Sequence, residues 1–411
     1  MKRSKKTRNA LRAALALLLA VVMMAFAGCG SGFFSGDVTT PQDSTSSPDV
    51  TTKAPSDETT APNADETTDP FGDDTTLPPE DTTAPGPDVP PPTYIDPLTG
   101  LEGLKDVTSV RPIALFYDNV SSAAPQSGIA KADVLIEVMV EGGISRLIAI
   151  TNDYDNNTDV FGPIRSARPY MVELSAAFDS LMVGAGYSDQ GYASIVNNGL
   201  QYINGVHDRY AGSWFFRDPE RVKNFGYTHS LMITSKGIKQ MAQINSFETT
   251  LGSIPNNFSF VQEGKNVALN GGRSTHVILS YSNYQQVQFI YSASAGTYYR
   301  YQFGDRAHLD AETGEQLNFK NLFVLFTQSA KIEGDTEGRL DVETVGSGTG
   351  YYITGGKYAE IKWTRNSETG AFKFTTPSGM TLTVNRGKSF IAMVDEALKD
   401  TSAINLNFKL G

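Results

Sequence analysis

The chain has 411 residues, a formal net charge of −11 and one cysteine, Cys29. A single cysteine excludes an internal disulfide framework and a zinc site built on several thiolates. The 45 acidic residues outnumber the 34 basic ones, and no basic stripe is present to neutralise phosphates. We therefore expect no nucleic-acid partner.

Residues 1–28 have the organisation of a secretory signal peptide. Six Lys and Arg residues precede an apolar run from Ala13 to Ala27, which is shorter than the roughly 20 residues that span a membrane. The sequence Phe26-Ala27-Gly28-Cys29 resembles the lipobox of bacterial lipoproteins, with Phe26 in place of the usual Leu. The resemblance implies a diacylglyceryl group on Cys29; the alternative is an ordinary signal peptide with an incidental cysteine. We expect a protein anchored by lipid to the extracytoplasmic face of the cell membrane.

Residues 29–93 are rich in Thr, Pro, Asp, Ser and Glu. Between Asp37 and Asp88 there are 13 acidic residues and a single basic one, Lys53, which leaves a charge of only −5 for residues 94–411. Such a stretch cannot bury enough apolar surface to offset its ordering entropy, so we predict a disordered linker. We interpret the linker as a spacer above the membrane. The alternative is a segment that carries glycans or binds wall polymers.

Residues 94–260 predict an α/β domain. Short apolar stretches bounded by turn-forming residues predict the strands Pro112–Asn119, Asp133–Glu141, Ile144–Thr151 and Leu181–Gly186. Ser166 is a candidate N-cap for a helix that continues to about Asp179, with Pro169 in its first turn. Two further short helices are predicted at Ser188–Val196 and Lys236–Ile244.

Residues 274–411 predict a domain of mainly β structure. Aromatic and β-branched segments recur about every ten residues, which is typical of a sandwich or barrel. The predicted strands are Val277–Tyr281, Val287–Tyr291, Tyr298–Phe303, Leu322–Phe326, Tyr358–Thr364, Ala371–Thr375, Met380–Val384 and Ser389–Val394. The run Gly346-Ser347-Gly348-Thr349-Gly350 has no P-loop Lys after it, so we interpret it as a turn. The predicted fold class is α+β: a mixed α/β N-terminal domain and a mainly β C-terminal domain, after a disordered linker.

Five segments of the first domain form a recognisable pattern. They are Tyr117-Asp118-Asn119, Pro125-Gln126-Ser127-Gly128, Glu137 with Glu141-Gly142-Gly143-Ile144-Ser145-Arg146, Gly162-Pro163-Ile164-Arg165-Ser166-Ala167-Arg168, and Thr228-His229-Ser230. They resemble the YerB-like bacterial lipoproteins, whose folded part is a pair of domains of unknown function (number 3048). The resemblance covers essentially all of residues 97–400, although the family tends to have Pro-His-Asn where this chain has Thr228-His229-Ser230. It implies location and architecture and supplies no reaction.

Three arginines are the main candidates for ligand binding. Arg165 and Arg168 lie near the start of the predicted helix, where free N–H groups and the helix dipole favour an anion. Together with Arg146 at a strand start, their guanidinium groups could bind a carboxylate or a phosphate bidentately. Asp118 and Gln126, from the same pattern, complete the predicted ligand-binding set.

Four side chains are the candidates for acid–base chemistry: Asp118, Glu137, Glu141 and His229. Two carboxylates on either side of a bond could hydrolyse a glycan. On one strand, Glu137 and Glu141 would lie roughly 13 Å apart, too far for a single glycosidic bond, so Asp118 would have to be the partner. The same carboxylates could instead pair internally with the arginines and stabilise the junction between strand and helix.

No metal or cofactor site is predicted. The four histidines, His207, His229, His276 and His308, show no ligand spacing. The segment 153–159 alternates oxygen ligands as a calcium loop does, but it lacks the Gly at position six, so we interpret it as a polar turn. The aromatic residues of Tyr298–Phe303 could stack on a sugar, although strand alternation places half of them in the core.

Two functions of different classes remain open. We favour a non-catalytic envelope lipoprotein that binds a cell-wall component or a membrane-protein partner through the arginines of the first domain. The alternative is a cell-wall-active hydrolase that uses Asp118, Glu137 or Glu141.

Overall fold

The computed structural model describes residues 93–401 and 404–406. The predicted signal peptide, Cys29 and nearly all of the predicted linker lie outside these residues. No helix among the described residues is both long enough and apolar enough to cross a membrane.

The first part of the described chain mixes strands and short helices. Its strands are β1 (Tyr94–Ile95), β2 (Glu102–Gly103), β3 (Ile113–Asn119), β4 (Val134–Met139), β5 (Ser145–Thr151), β6 (Val160–Phe161), β7 (Leu181–Gly184), β8 (Tyr202–Asn204), β9 (Phe215–Arg217) and β10 (Leu231–Thr234). Its α-helices are Pro169–Ala176, Asp189–Asn197, Ala211–Trp214, Pro219–Phe225 and Ser235–Ile244. Short 3-10 turns occur at Ile129–Lys131, Glu141–Gly143 and Tyr227–His229.

The second part is almost entirely strand. Its strands are β11 (Ser259–Phe260), β12 (His276–Ser280), β13 (Gln286–Ser292), β14 (Thr297–Gln302), β15 (Arg306–Ala307), β16 (Asn318–Phe319), β17 (Asn321–Thr327), β18 (Ser329–Lys331), β19 (Leu340–Val342), β20 (Gly346–Thr354), β21 (Lys357–Arg365), β22 (Lys373–Thr375), β23 (Thr383–Val384), β24 (Ser389–Asp395) and β25 (Ile404–Asn405). A 3-10 turn, Glu396–Leu398, follows β24. The predicted α+β fold class is confirmed.

Strands from both parts join in one mixed sheet of ten, in the order β22-β21-β20-β17-β24-β4-β5-β3-β7-β8. The two parts meet where β4 and β24 pair in parallel, from Val134 opposite Ser389 to Val138 opposite Met393. Strands buried on both faces of a sheet are apolar almost throughout, which accounts for the composition of β4 and β24. The division into domains at 94–260 and 274–411 remains a prediction, and the sheet runs through both.

Each face of the sheet carries its own hydrophobic core. One core includes Leu115, Leu135 and Ala392 and continues into the antiparallel sheet of β12, β13 and β14 through Phe289. The other core includes Phe116, Ile136 and Ile391 together with residues of the helix Pro169–Ala176. Alternate residues of each strand supply opposite faces, as the pleat requires.

The helix predicted from Ser166 to Asp179 is shorter than expected. It begins at Pro169 and ends at Ala176, and Arg168 has extended dihedral angles, φ −122° and ψ 154°. Proline disfavours the helical conformation in the residue before it, which explains the late start. Arg165 therefore lies in extended chain outside the helix.

The glycine-rich run predicted to be a turn is the first half of strand β20, so that prediction is wrong. Gly348 lies opposite Trp363 of β21, whose Nε1 donates a hydrogen bond of 3.0 Å to the Phe326 carbonyl oxygen on β17. A Cβ atom at Gly348 would stand 2.4 Å from that Nε1 and 2.5 Å from the carbonyl oxygen. The missing side chain lets the indole cross β20.

Candidate functional site

The arginine-rich segment lies at the carboxyl ends of parallel strands. Strands β3, β7 and β8 run parallel to one another, so their carboxyl ends lie at one edge, where ligands bind in many α/β sheets. The extended chain before the helix crosses this edge. The Arg165 amide donates to the Phe116 carbonyl oxygen at 2.7 Å, and the Arg165 carbonyl oxygen accepts from the Ala185 amide at 2.9 Å. Arg165 is thereby held between the ends of β3 and β7.

Six charged or titratable side chains assemble at this edge, and we call them the strand-end cluster. They are Asp118, Glu141, Arg146, Arg165, Arg168 and His229. Every predicted arginine is present, and His229 joins them from the turn before β10.

A buried carboxylate holds the exposed side of the cluster together. Asp118 Oδ2 lies 2.6 Å from His229 Nδ1 and 3.4 Å from Arg165 Nε. The Asp118 side chain is 2% exposed, whereas that of Arg165 is 26% exposed. Because a carboxylate accepts hydrogen bonds, Nδ1 of His229 is the donor, and the ring orientation follows from that bond.

Glu141 binds the two inner arginines. Its Oε2 accepts a 3.0 Å hydrogen bond from Arg168 Nε, and its Oε1 contacts Arg168 Nη2. Arg146 Nη2 lies 3.4 Å from the same Oε1. Burial would raise the pKa of Glu141, but the Arg168 hydrogen bond and the Arg146 charge together lower it below its ordinary value.

The positive charge of the cluster exceeds its negative charge. Three guanidinium groups face two carboxylates, so the set carries one net positive charge while His229 is neutral. Burial and the neighbouring charge of Arg168 lower the pKa of Arg146 to about 10. Among the described residues, Nε of Arg146 is buried and has no hydrogen-bond partner. An added anion would offset the excess charge.

Glu137 is not part of the cluster. Its side chain and that of Arg300 are fully buried, with 2.8 Å between Oε2 and Nη2. Oε1 accepts further hydrogen bonds from Ser145 Oγ at 2.6 Å and Gln285 Nε2 at 3.1 Å. The strand predicted to run from Asp133 to Glu141 ends at Met139, so Glu137 and Glu141 do not lie on one strand and that prediction is wrong.

Gln126 also lies in the interior. Its Nε2 donates to the Asp118 carbonyl oxygen at 2.9 Å, and its Oε1 lies 2.8 Å from Nε2 of the buried His308. Nδ1 of His308 contacts Arg300 Nη1 and must accept that bond, so Nε2 carries the proton. Burial and the Arg300 charge hold the pKa of His308 well below its ordinary value of 6.5. The predicted ligand residue Gln126 therefore connects the buried ion pair to strand β3.

A lysine from another part of the chain pairs with two carboxylates of the segment that resembles a calcium loop. Lys131 Nζ lies 2.8 Å from an Asp153 carboxylate oxygen and 2.9 Å from one of Asp159. Across residues 93–401 and 404–406, no three His, Asp or Glu side chains converge in the way that metal ligands do.

A row of aromatic rings beside the cluster was not identified from the sequence. The Tyr187 ring lies 4.8 Å from that of Tyr192 and 5.1 Å from that of His207, between centroids. The sequence Gly184-Ala185-Gly186-Tyr187 could have indicated a site here. It connects the end of a buried strand to Ser188, the N-cap of the next helix.

Two family models match the chain. "Protein of unknown function (DUF3048) N-terminal domain" matches residues 98–248 and the corresponding C-terminal domain matches residues 277–391. The chain belongs to this family. The whole strand-end cluster lies in the first match, and both Arg300 and His308 lie in the second, so the family resemblance predicted from the sequence is confirmed.

Relatives of this DUF3048 protein include one from Bacillus subtilis (strain 168), named "Putative lipoprotein YerB". It is 32% identical over 274 residues, which cover 65% of this chain and 77% of the relative. A crystal structure of the YerB protein from Bacillus subtilis is similar at a TM-score of 0.64 and 28% identity. That similarity covers 77% of this chain and 100% of the solved one.

Proposed function

We propose that this protein is a lipoprotein of the cell envelope that binds a partner without catalysing a reaction. Cys29 would carry the lipid and hold the chain at the extracytoplasmic face of the membrane. The lipobox-like Phe26-Ala27-Gly28-Cys29 supports the anchor, as does the name of the Bacillus subtilis relative. The partner is an anionic cell-wall component or an acidic surface of a membrane protein.

The charge excess of the strand-end cluster carries the binding proposal. Arg146 and Arg168 are largely buried and committed to Glu141. Arg165 shares its buried partner Asp118 with His229, and its own side chain remains partly exposed. A guanidinium group in this position can bind a carboxylate or a phosphate from solution.

The hydrolase alternative has less support. Glu137 has no exposed surface, and a carboxylate must reach the glycosidic oxygen or the anomeric carbon to act on it. The Arg168 hydrogen bond and the Arg146 charge lower the pKa of Glu141, which makes it unsuited to act as the general acid, and the buried Asp118 carboxylate is paired with Arg165 and His229.

Binding to purified cell walls tests the proposal. The wild-type chain, Arg165→Gln and the matched control Arg306→Gln are each sedimented with wall sacculi that retain or lack their anionic polymers. We expect Arg165→Gln to bind roughly tenfold or more weakly, the value of a charged hydrogen bond, and the exposed Arg306 to be dispensable. Equal binding by all three proteins would contradict a wall ligand at Arg165.

The membrane-protein partner is tested in the native membrane. The intact lipoprotein, wild type or Arg165→Gln, is crosslinked there and its partners are recovered. A membrane protein that is captured by the wild type and lost with Arg165→Gln would identify the partner class as protein. If neither sacculi nor crosslinking distinguishes Arg165→Gln from Arg306→Gln, the strand-end cluster is not the binding site.

A further inference from the structure

The aromatic row presents ring surface to solvent. Tyr187 lies between the rings of Tyr192 and His207, inclined to them by 31° and 36°. Tyr192 is 49% exposed and His207 is also exposed, while Tyr187 is half-buried. Tyrosine combines an apolar ring with a polar edge that remains in water, so such a row suits a ligand that is itself apolar on one side and polar at its rim.

The row is continuous with the strand-end cluster through the backbone. Ala167 pairs with Tyr187 in a parallel bridge, and the Arg165 carbonyl oxygen accepts from the Ala185 amide. Two residues along extended chain cover roughly 7 Å, so Arg165, whose side chain is partly exposed, lies about that far along the chain from the residue that pairs with Tyr187.

Two polar groups flank Gly186, next to the aromatic row. Gly186, at φ +78°, has no side chain, and a Cβ there would stand 3.8 Å from Ser166 Oγ and 3.9 Å from His207 Nε2. Asn204 Oδ1 accepts hydrogen bonds from the amides of Gly186 and His207, at 2.9 and 3.3 Å, which holds this part of the surface in place. The hydroxyl and the imidazole can bond to ligand hydroxyl groups at this position.

From this arrangement we infer that the protein binds a sugar that carries an anionic group, as part of an oligosaccharide. The C–H face of the sugar lies on Tyr187 and Tyr192, its hydroxyl groups bond to Ser166 and His207, and its carboxylate or phosphate binds Arg165. A bare anion would leave the rings unused, and a neutral sugar would leave the excess positive charge uncompensated. The inference rests on the proposed function and names its ligand class.

The test uses defined oligosaccharides and exposed residues. The probes are a tetrasaccharide of uronic acid, its carboxyl-reduced neutral form, a hexose 6-phosphate and a tetraglutamate peptide. They are titrated into the full chain and into Tyr192→Ser, Arg165→Gln and the control Tyr284→Ser, whose side chain is 80% exposed. Saturation-transfer NMR then reports which probe protons approach the protein.

We expect the uronate tetrasaccharide to bind more tightly than both its neutral form and the peptide. Tyr192→Ser should weaken that binding about two- to tenfold, the usual worth of an aromatic contact, and Tyr284→Ser should leave it unchanged. Arg165→Gln should remove the preference for the acidic form. Binding of the hexose phosphate in place of the uronate would also support an anionic sugar as the ligand, and it would identify the anionic group as a phosphate.

Failure of this inference is distinguishable from failure of the proposed function. If Arg165→Gln loses wall binding while Tyr192→Ser and a second variant, His207→Ala, bind every probe as the wild type does, the sugar assignment is overturned and the anion site stands. Preference for tetraglutamate over the uronate would also overturn it, in favour of an acidic protein partner. Circular dichroism of each variant establishes that it is folded.

Discussion

Glu137 and Arg300 form a fully buried ion pair, with 2.8 Å between Oε2 and Nη2, across 163 positions of the chain. The pair joins β4 of the large sheet to β14 of the antiparallel sheet. Burying two charges is costly unless further hydrogen bonds complete their coordination. Ser145 and Gln285 supply such bonds to Glu137, and Gln302 accepts one from Arg300.

Removing one member of this pair should strongly destabilise the protein. We expect Arg300→Met to lower the free energy of unfolding by about 3–5 kcal/mol, because Glu137 is left buried without its counter-ion. The double variant Glu137→Met/Arg300→Met should recover most of that loss. Urea unfolding measures both, with the exposed Arg306→Met as the control. A single variant as stable as the control would show that water or a rearranged side chain compensates the carboxylate.

Substitution of Arg168 should mainly reduce stability, whereas substitution of Arg165 should mainly reduce binding. Arg168→Gln removes a two-bond contact to Glu141 and should cost about 1–3 kcal/mol, the usual penalty for a stranded polar group. Arg165→Gln should change the melting temperature little, because Asp118 keeps the His229 hydrogen bond and Arg165 is partly exposed. Thermal unfolding beside the sacculus assay distinguishes them. A larger stability loss for Arg165→Gln than for Arg168→Gln would reverse the assignment.

Two buried groups should give opposite pH dependences of stability. The pKa of His308 is depressed by burial and Arg300, so below pH 6.5 the unfolded chain binds the extra proton and stability falls as pH falls. Burial and the charge of Asp96 raise the pKa of Asp133 from 3.8 to about 7, so between these values the folded chain holds the extra proton and stability falls as pH rises. Each slope is about 1.4 kcal/mol per pH unit.

Asp133→Asn should therefore reveal the pH dependence of stability that His308 causes, because it removes the opposing contribution of Asp133. Between about pH 4.5 and 6.5 the unfolding free energy of the variant should rise with pH more steeply than that of the wild type, by about 1.4 kcal/mol per unit. The amide replaces a protonated acid and can keep the hydrogen bond from Thr151. Urea unfolding at a series of pH values gives both slopes. Parallel curves for the two proteins would mean that Asp133 is ionised throughout the range.

The crossing of Trp363 over β20 should make Gly348 intolerant of a side chain. We expect Gly348→Ala to cost about 1–3 kcal/mol, as overpacking does in well-packed cores, since the new methyl group meets the indole and a backbone oxygen. Gly212→Ala is the control, because a Cβ there meets no atom within 4 Å and lies in a helix. Equal stabilities of the two variants would show that the indole can move aside.

Lipid attachment should depend on Cys29 alone. Cys29→Ser removes the only thiol in the chain and should abolish labelling by a clickable fatty acid, with release of the protein or incorrect processing. Metabolic labelling of the wild type and the variant in cells makes the measurement, with Arg306→Gln as a processed control. Equal labelling of the variant would end the lipoprotein proposal.

Local composition predicted most of the elements, because an apolar run bounded by turn-forming residues indicates a buried strand whatever its neighbours are. The strands Ile113–Asn119 and Ser145–Thr151 and the helix Ser235–Ile244 lie within two residues of their predicted bounds. The late start of the helix at Pro169 has a local cause, whereas the error at Gly348 comes from a distant neighbour. Gly348 has turn-forming composition, yet Trp363 lies across it and makes the strand favourable.

The sequence by itself determined the arginine-rich segment, its membership of one family pattern and the α+β character of the chain. Only the tertiary structure decided the partners: Asp118 with Arg165 and His229, Glu141 with Arg146 and Arg168, and Glu137 with Arg300. These pairs depend on which strands are neighbours and in what register: the antiparallel pairing of β3 with β5, for example, places Asp118 opposite Arg146. A one-residue change of register would turn each side chain of a strand to the opposite face of the sheet. Charge and spacing along the sequence therefore do not determine which partner a side chain meets.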